Sequence, residues 1–238
     1  MIIEVNNLQK TYESALGVKT HALRGVTFSI KKGEFVAIMG PSGSGKSTML
    51  HLLGFLERPT HGTYLFDGKD SRAYTDDEIA KVRNEKMGFV FQAFNLLPRT
   101  PVYENVKLPL IYSEVPDTEW DERIQKAIEV VGLQHRIHHE PSQLSGGEKQ
   151  RVAIARALVC TPEVIFADEP TGNLDSKSGQ AVMEKLQTLN EKKGHTIILI
   201  THETTTAEHA NRIIRVKDGE VESDQQVTKR RKATSFEK

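Results

Sequence analysis

Gly40-Pro41-Ser42-Gly43-Ser44-Gly45-Lys46-Ser47 lies between the continuous apolar run Phe35-Val36-Ala37-Ile38-Met39 and the helix-forming stretch Thr48-Met49-Leu50-His51-Leu52-Leu53-Gly54-Phe55. The eight residues fit the spacing G-x-x-x-x-G-K-[ST], in the strand, loop, helix context that this spacing needs. Glycines let the backbone turn its N–H groups inward, the following helix offers its N-terminus to negative charge, and Lys46 reaches toward a β/γ-phosphate pair. Ser47 would put its hydroxyl on Mg²⁺. A short, wholly apolar strand is one covered on both faces, so the chain reads as α/β.

On the N-terminal side, Ile2-Ile3-Glu4-Val5 and Val26-Thr27-Phe28-Ser29-Ile30 make a strand-rich opening, followed by a Lys31-Lys32-Gly33-Glu34 turn. On the other side, Pro59-Thr60-His61-Gly62 ends the helix unit, and Thr63-Tyr64-Leu65-Phe66 before Asp67-Gly68 reads as one arm of a hairpin. Asp76 to Asn84 is polar and helical, and Met87 to Phe91 is a strand. From about Ala93 the pattern changes. Pro98, Pro101, Pro109 and Pro116 interrupt the chain, and Trp120 to Val131 places Ile124, Ile128 and Val131 on one helix face. Roughly 93 to 160 is expected to be a mainly helical insert beside the sheet, which resumes at Val164. Lys177 to Leu189 reads as a helix with Val182, Leu186 and Leu189 on one face, Thr196 to Thr201 as a strand, and Ile213 to Val221 as a closing hairpin around Asp218-Gly219.

Val164-Ile165-Phe166-Ala167-Asp168-Glu169 is the second chemical element. Four apolar residues bury a strand and deliver two carboxylates at its C-terminal end, where open α/β sheets collect their ligands. Asp168 is expected to hold Mg²⁺ through water; Glu169 would stand near an attacking water as its base or orienter. A solvated turn would also explain two adjacent carboxylates, but the phosphate loop upstream weighs against it.

The chain has 238 residues, of which 37% are hydrophobic, enough for a sizeable core. Lys+Arg and Asp+Glu are both 32, a formal net charge of +0, so no global field draws it to nucleic acid or an anionic membrane. The single cysteine, Cys160, ends an apolar run and is read as a buried small hydrophobe. Met1 to Asn7 lacks the basic and apolar regions of a signal peptide. No stretch approaches the roughly 18 apolar residues of a membrane span. The expectation is a soluble, cytosolic chain that reaches a membrane only through a partner. The tail, with Lys229, Arg230, Arg231 and Lys232 together, is read as a solvated terminus, the alternative being a weak contact with an acidic surface or lipid.

With these motifs the sequence resembles the ATP-binding cassette family over about residues 2 to 222. The motif that separates cassettes from other phosphate-loop ATPases is Leu144-Ser145-Gly146-Gly147-Glu148-Lys149-Gln150-Arg151. Physically, a Ser-Gly-Gly turn opening a helical segment is a second anion site at a helix N-terminus. The resemblance implies a phosphate-loop NTPase core with an N-terminal antiparallel β subdomain and an inserted helical subdomain. It divides the chain into an ATPase domain over 1–222, with the insert at about 93–160, and a basic tail over 223–238. It also implies an ATP-sandwich dimer with a second copy of the chain, in which Ser145, Gly146 and Gly147 of one copy close on ATP held by Gly40 to Thr48 of the other. Tyr12 resembles the aromatic that stacks on adenine, and Gln92 the glutamine that touches Mg²⁺ and the attacking water. Asp175, in Asn173-Leu174-Asp175, is similar to the aspartate that supports the partner's site, and His202 to the switch histidine at the γ-phosphate. ATP and Mg²⁺ are the implied substrate and metal. Ala93 to Asn105 would carry movement to a partner.

Ala167 to Asp175, Gly54 to Gly62 and Phe91 to Pro98 resemble the subgroup of lipoprotein-releasing, macrolide-efflux, antimicrobial-peptide-resistance and cell-division cassettes. That implies an integral-membrane, permease-like partner with a large external domain and a peripheral location on the cytoplasmic face of the membrane. An export or extraction motor is the leading expectation, and a cell-division or envelope-remodelling switch without transport is the alternative. An importer subunit stays open, since the cassette does not encode direction. Soluble repair and translation cassettes carry a long coiled coil or two cassettes, and neither is present here. Two positions depart from the family pattern. Glu203 stands where many members have Asp, and Lys149 where glutamine is more usual; the first keeps a carboxylate and the second leaves the Ser-Gly-Gly backbone intact.

Overall fold

Every residue of Phe35–Met39 (β3) is buried, and alternate side chains serve two different cores. Val36 and Ile38 face a core shared with an antiparallel sheet, whereas Phe35, Ala37 and Met39 face a core shared with helices. Period-two alternation in an all-apolar strand thus makes β3 the wall between two layers. The computed structural model describes residues 1–232.

The strand β3 belongs to a six-stranded sheet of order β10-β9-β3-β8-β7-β6. Its other members are Met87–Val90 (β6), Val164–Asp168 (β7), Thr196–Thr201 (β8), Arg212–Lys217 (β9) and Glu220–Gln226 (β10). All pairs are parallel except the β9–β10 hairpin. A second sheet, of order β2-β1-β4-β5, is antiparallel and comprises Ile3–Glu13 (β1), Lys19–Ile30 (β2), His61–Phe66 (β4) and Lys69–Asp70 (β5). The helix Lys46–Leu53 (α1) is packed between the sheets, burying Met49, Leu50, Leu52 and Leu53. Asp76–Lys86 (α2) starts at a capping box between Thr75 and Glu78 and leads into β6.

Val102–Lys107 (α3), Trp120–Val131 (α4) and Gly146–Leu158 (α5) all lie in the sequence between β6 and β7, which are neighbours in the sheet. The chain therefore leaves the sheet edge and returns beside its point of departure. Ile124, Ile128 and Val131 of α4 are buried as their spacing predicts, with Val152 and Ala155 of α5 in the same core. Ser176–Lys193 (α6) contributes Val182, Leu186 and Leu189; fully burying a side chain of this size contributes about 1.5–3 kcal/mol. Thr204–Ala207 (α7) follows β8.

Two expectations change. The first two strands are longer than their apolar runs, because polar residues of β1 and β2 continue the ladder through several register shifts to the pair Glu13–Lys19. At the other end, the boundary expected between 222 and 223 falls inside β10. The chain beyond is docked, which corrects the reading of Arg230 and Arg231 as part of a solvated terminus. Val227 N–H donates to Asn211 O at 2.8 Å and Arg231 N–H to Glu208 O at 2.9 Å. Arg230 donates to His209 O and pairs with Glu191, both at 2.7 Å. Backbone carbonyls near α7 and an acid on α6 supply partners that local sequence does not reveal. Residues 233–238 of the expected tail lie outside the described residues. Among the described residues no helix is long and apolar enough to cross a membrane.

Candidate active site

The phosphate loop runs from the C-terminal end of β3 into α1, and its shape depends on two glycines at positive φ, Gly43 at 79° and Gly45 at 101°. A Cβ on Gly45 would stand 2.6 Å from Ala22 O, so both space and backbone conformation require glycine there. Gly45 caps α1 without a side-chain hydrogen bond, which leaves the first-turn amides of the helix unanswered by the chain. Ser44 is buried and its Oγ has no partner. Lys46 folds over the loop, its ammonium donating to Pro41 O at 2.7 Å. Burial pulls the Lys46 pKa down, while the charges of Glu169 and Asp168 oppose that shift. Unanswered amides, an orphaned hydroxyl and a partly desolvated ammonium form a donor set that fits a polyphosphate.

Asp168 is the last residue of β7, and its carboxyl is pushed up by burial and by the neighbouring Glu169, against the charges of His51 and Lys46. Glu169 leaves the strand at φ 44°, a left-handed conformation costing a non-glycine residue about 1–2 kcal/mol. Its N–H donates to Ile200 O at 2.9 Å, and the turn swings its carboxylate toward the end of β8. There Thr201 Oγ1 donates to Oε2 at 3.2 Å and His202 N–H to Oε1 at 3.0 Å, while His202 Nδ1 stands 2.6 Å from Oε1. Two donors and the His202 ring nitrogen on one carboxylate fix its orientation. The structure thus brings Lys46, Asp168, Glu169 and His202 into one neighbourhood at the C-terminal ends of adjacent parallel strands. Thr201 was missed in the sequence because it reads as the end of an apolar strand.

Gln92 follows β6 and is exposed; it exchanges hydrogen bonds with Asn173, which donates to Gln92 O at 3.1 Å. Gly172 permits that approach, since a Cβ there would lie 2.7 Å from the Gln92 amide nitrogen. Asp175 caps α6 by accepting from Ser178 N–H at 3.0 Å, and that bond holds its carboxyl below the usual range. Ser145 caps α5 in a reciprocal box with Glu148, and Gly147 packs where a Cβ would meet Ser178 at 2.7 Å. Ser145, Gly146 and Gly147 therefore belong to the beginning of α5 beside α6, not to the loop that carries Lys46. Tyr12, near the end of β1, is 38% exposed. Ser47 is exposed in the first turn of α1. Among the described residues no cluster of three or more His, Cys, Asp or Glu could hold a metal by itself.

A parallel sheet with a phosphate loop at its ligand-bearing end, a held carboxylate beside it and a helical excursion at its edge is the arrangement of a phosphate-loop ATPase. The ABC transporter family matches residues 23–172, and the chain belongs to that family as an ATP-hydrolysing cassette. The uncharacterized ABC transporter ATP-binding protein YknY of Bacillus subtilis is 50% identical over 221 residues, covering 92% of this chain and 95% of the relative. The macrolide export ATP-binding/permease protein MacB of Bdellovibrio bacteriovorus is 47% identical over 226 residues, 95% of this chain and 34% of the relative. The chain thus spans about a third of the length of such relatives. A dimeric structure of the Methanocaldococcus jannaschii cassette MJ0796, in a post-hydrolysis state bound to ADP and Pi, superposes with TM-score 0.86 and 44% identity, covering 95% of this chain and 99% of that one.

Proposed function

We propose that this chain powers a membrane export or extraction complex by ATP-dependent dimerisation on the cytoplasmic face of the membrane. The observation that carries the proposal is the separation of two anion-binding helix starts, α1 behind the phosphate loop and α5 behind Ser145, with Pro41 to Gly43 and Ser145 all exposed. Each helix start is half of a phosphate enclosure, and a second copy of the chain completes both. The dimeric MJ0796 structure supports this reading.

In the complete site, Lys46 and the loop amides hold the β- and γ-phosphates of ATP, and the Tyr12 ring stacks on the base. Ser47, Gln92 and Asp168 are the residues that would hold Mg²⁺, which neutralises phosphate charge; too few for a metal cage, they suit an ion arriving with its nucleotide. Glu169, aimed by Thr201 and His202, takes the proton of the attacking water, and His202 meets the γ-phosphate. Ser145 to Gly147 and Asp175 serve the partner copy's site. Loss of phosphate removes contacts shared by both copies and favours opening.

The outward connection runs through α5. Arg156 grips the loop after Gln92, donating to Phe94 O at 2.9 Å and also to Asn95 O, so that loop and the helix headed by Ser145 move together. Beside them lies a cleft of about 800 Å³ lined by Leu56, Phe89, Phe91, Leu108 and Tyr112. Tyr112 is 75% exposed and Ile111 53%, giving the region an apolar rim suited to a membrane partner. The name of the MacB relatives, ATP-binding and permease in one chain, supports a permease-like partner here; a large external domain on that partner is part of the proposal.

The test is to tag the subunit in its native host, solubilise membranes gently and identify stoichiometric partners by mass spectrometry. A multi-pass protein with a large external domain is expected. A functional tagged subunit that purifies only as a soluble dimer would overturn membrane coupling.

A further inference from the structure

Glu57 stands at the crossing of two elements that the proposed site uses for different parts of the nucleotide. It follows α1 in a turn that folds back on the helix, Leu56 N–H and Glu57 N–H both donating to His51 O at 2.8 and 3.1 Å. Its carboxylate accepts from the Tyr12 hydroxyl at 2.8 and 3.0 Å, pairs with Lys10 at 2.9 Å and meets His51 Nδ1 at 3.2 Å. Lys10 also donates to Arg58 O at 2.9 Å, so the turn is held from β1 as well as from α1. The Tyr12 phenol is also in reach of the Thr48 hydroxyl, in the first turn of α1. Burial alone would raise the Glu57 carboxyl, but its bonds to Lys10 and Tyr12 outweigh that and hold it below the usual range, so it stays charged.

Lys10 adds a direction. Two residues before Tyr12 on the same strand, it shares the side of β1 that Tyr12 occupies. Its ammonium is 5.0 Å from the centroid of the Tyr12 ring. A cation at that distance contributes an attraction to the ring face it covers and leaves the opposite face for a planar ligand. Without Glu57, the Tyr12 ring would turn about χ1 and χ2 at the end of a strand whose partner ladder is already irregular.

We propose that Glu57 is a positioning residue that sets the distance between the base platform, Tyr12, and the phosphate-binding helix, α1, with Lys10 closing one face of the ring. This rests on the reading of Tyr12 as the base platform. The tether acts only on ligands that have a base. Inorganic tripolyphosphate, which fills the phosphate loop alone, is indifferent to it.

The experiment measures binding of Mg-ATP and Mg-tripolyphosphate to the full chain carrying Glu57→Ala, Tyr12→Phe, both together, or Glu57→Gln. Glu57→Ala and Tyr12→Phe each weaken ATP about 3- to 10-fold, a fraction of the worth of one base–aromatic stack. The double variant is no weaker than the worse single, since both remove one bond. Glu57→Gln, whose amide oxygen still accepts from the phenol, recovers part of the loss, and tripolyphosphate binding is unchanged throughout. Wild-type ATP affinity in Glu57→Ala, or equal weakening of tripolyphosphate, overturns the tether. Tyr12→Ala separates the underlying reading: if it leaves ATP affinity unchanged, the base platform itself is wrong, whereas a large loss with Glu57→Ala silent condemns the tether alone.

Discussion

His202 Nδ1 lies 2.6 Å from Oε1 of Glu169, an oxygen that also accepts the His202 backbone N–H at 3.0 Å. Histidine and carboxylate are thus one unit joined across the ends of β7 and β8, and a disturbance of either reorients the other.

Replacing Glu169 with Gln keeps the shape of that unit and removes the proton acceptor. Turnover is expected to fall about 10²- to 10⁴-fold, the usual worth of a general base, with ATP binding retained and closed dimer accumulating. Phosphate release together with light scattering checks both. Turnover at the wild-type rate in Glu169→Gln would falsify the general-base role.

Lys46→Ala removes the ammonium that bridges the loop to Pro41 O. Both nucleotide affinity and turnover are expected to drop, each by about tenfold or more, a single charge-assisted bond contributing about 1.5–3 kcal/mol. Calorimetric titration and steady-state kinetics read the two effects; unchanged values would remove Lys46 from the cradle.

Gly88→Ala probes the seam between sheet and helical excursion. Its Cβ would come within 2.6 Å of Ala157 O, backbone that cannot swing aside. A loss of about 1–3 kcal/mol in stability is expected from such overpacking. Urea denaturation measures it, and an unaltered midpoint contradicts the close approach of β6 and α5.

His209 gives stability a pH dependence. Burial, then the charge of Arg231 and of Arg230, lowers its pKa to about 4. Between that value and the ordinary one of about 6.5 the unfolded chain binds the extra proton, so stability rises with pH across this window and is lost as pH falls through it. From pH 7.5 to 5.5 this group alone costs about 1 kcal/mol. Denaturation of wild type and His209→Gln at both pH values isolates the contribution; equal pH slopes in the two proteins would refute it.

The sequence was most legible where chemistry and local structure coincide. Gly40 to Ser47 needs its flanking strand and helix, and Val164 to Glu169 couples an apolar run to the carboxylates it delivers, so both elements and residues could be read together. Helices with one apolar face, such as Trp120 to Val131, were readable from spacing. What escaped depends on partners distant in the chain. Glu57 has no local mark distinguishing it from any charged residue in a turn, and its role comes from Lys10 and Tyr12 on β1. Arg230 looks like any basic terminus until Glu191 and His209 O are seen beside it. The polar ends of β1 and β2 were unreadable because backbone pairing, not burial, keeps them extended.

The pairing of β3 with β8, Phe35 opposite Ile197 and Met39 opposite Thr201, joins distant parts of the chain at the centre of the sheet. Such non-local parallel pairing closes late and slowly in folding. On the ribosome, the strand that leads into the phosphate loop must therefore wait for Ile197 to Thr201, far downstream, to emerge before it acquires this neighbour. ATP, which stabilises only the form that binds it, can reward completed molecules but cannot rescue nascent ones. Until then the edge of Phe35 to Met39 that pairs with β8 has no partner, and an unpaired edge of this kind is prone to aggregation.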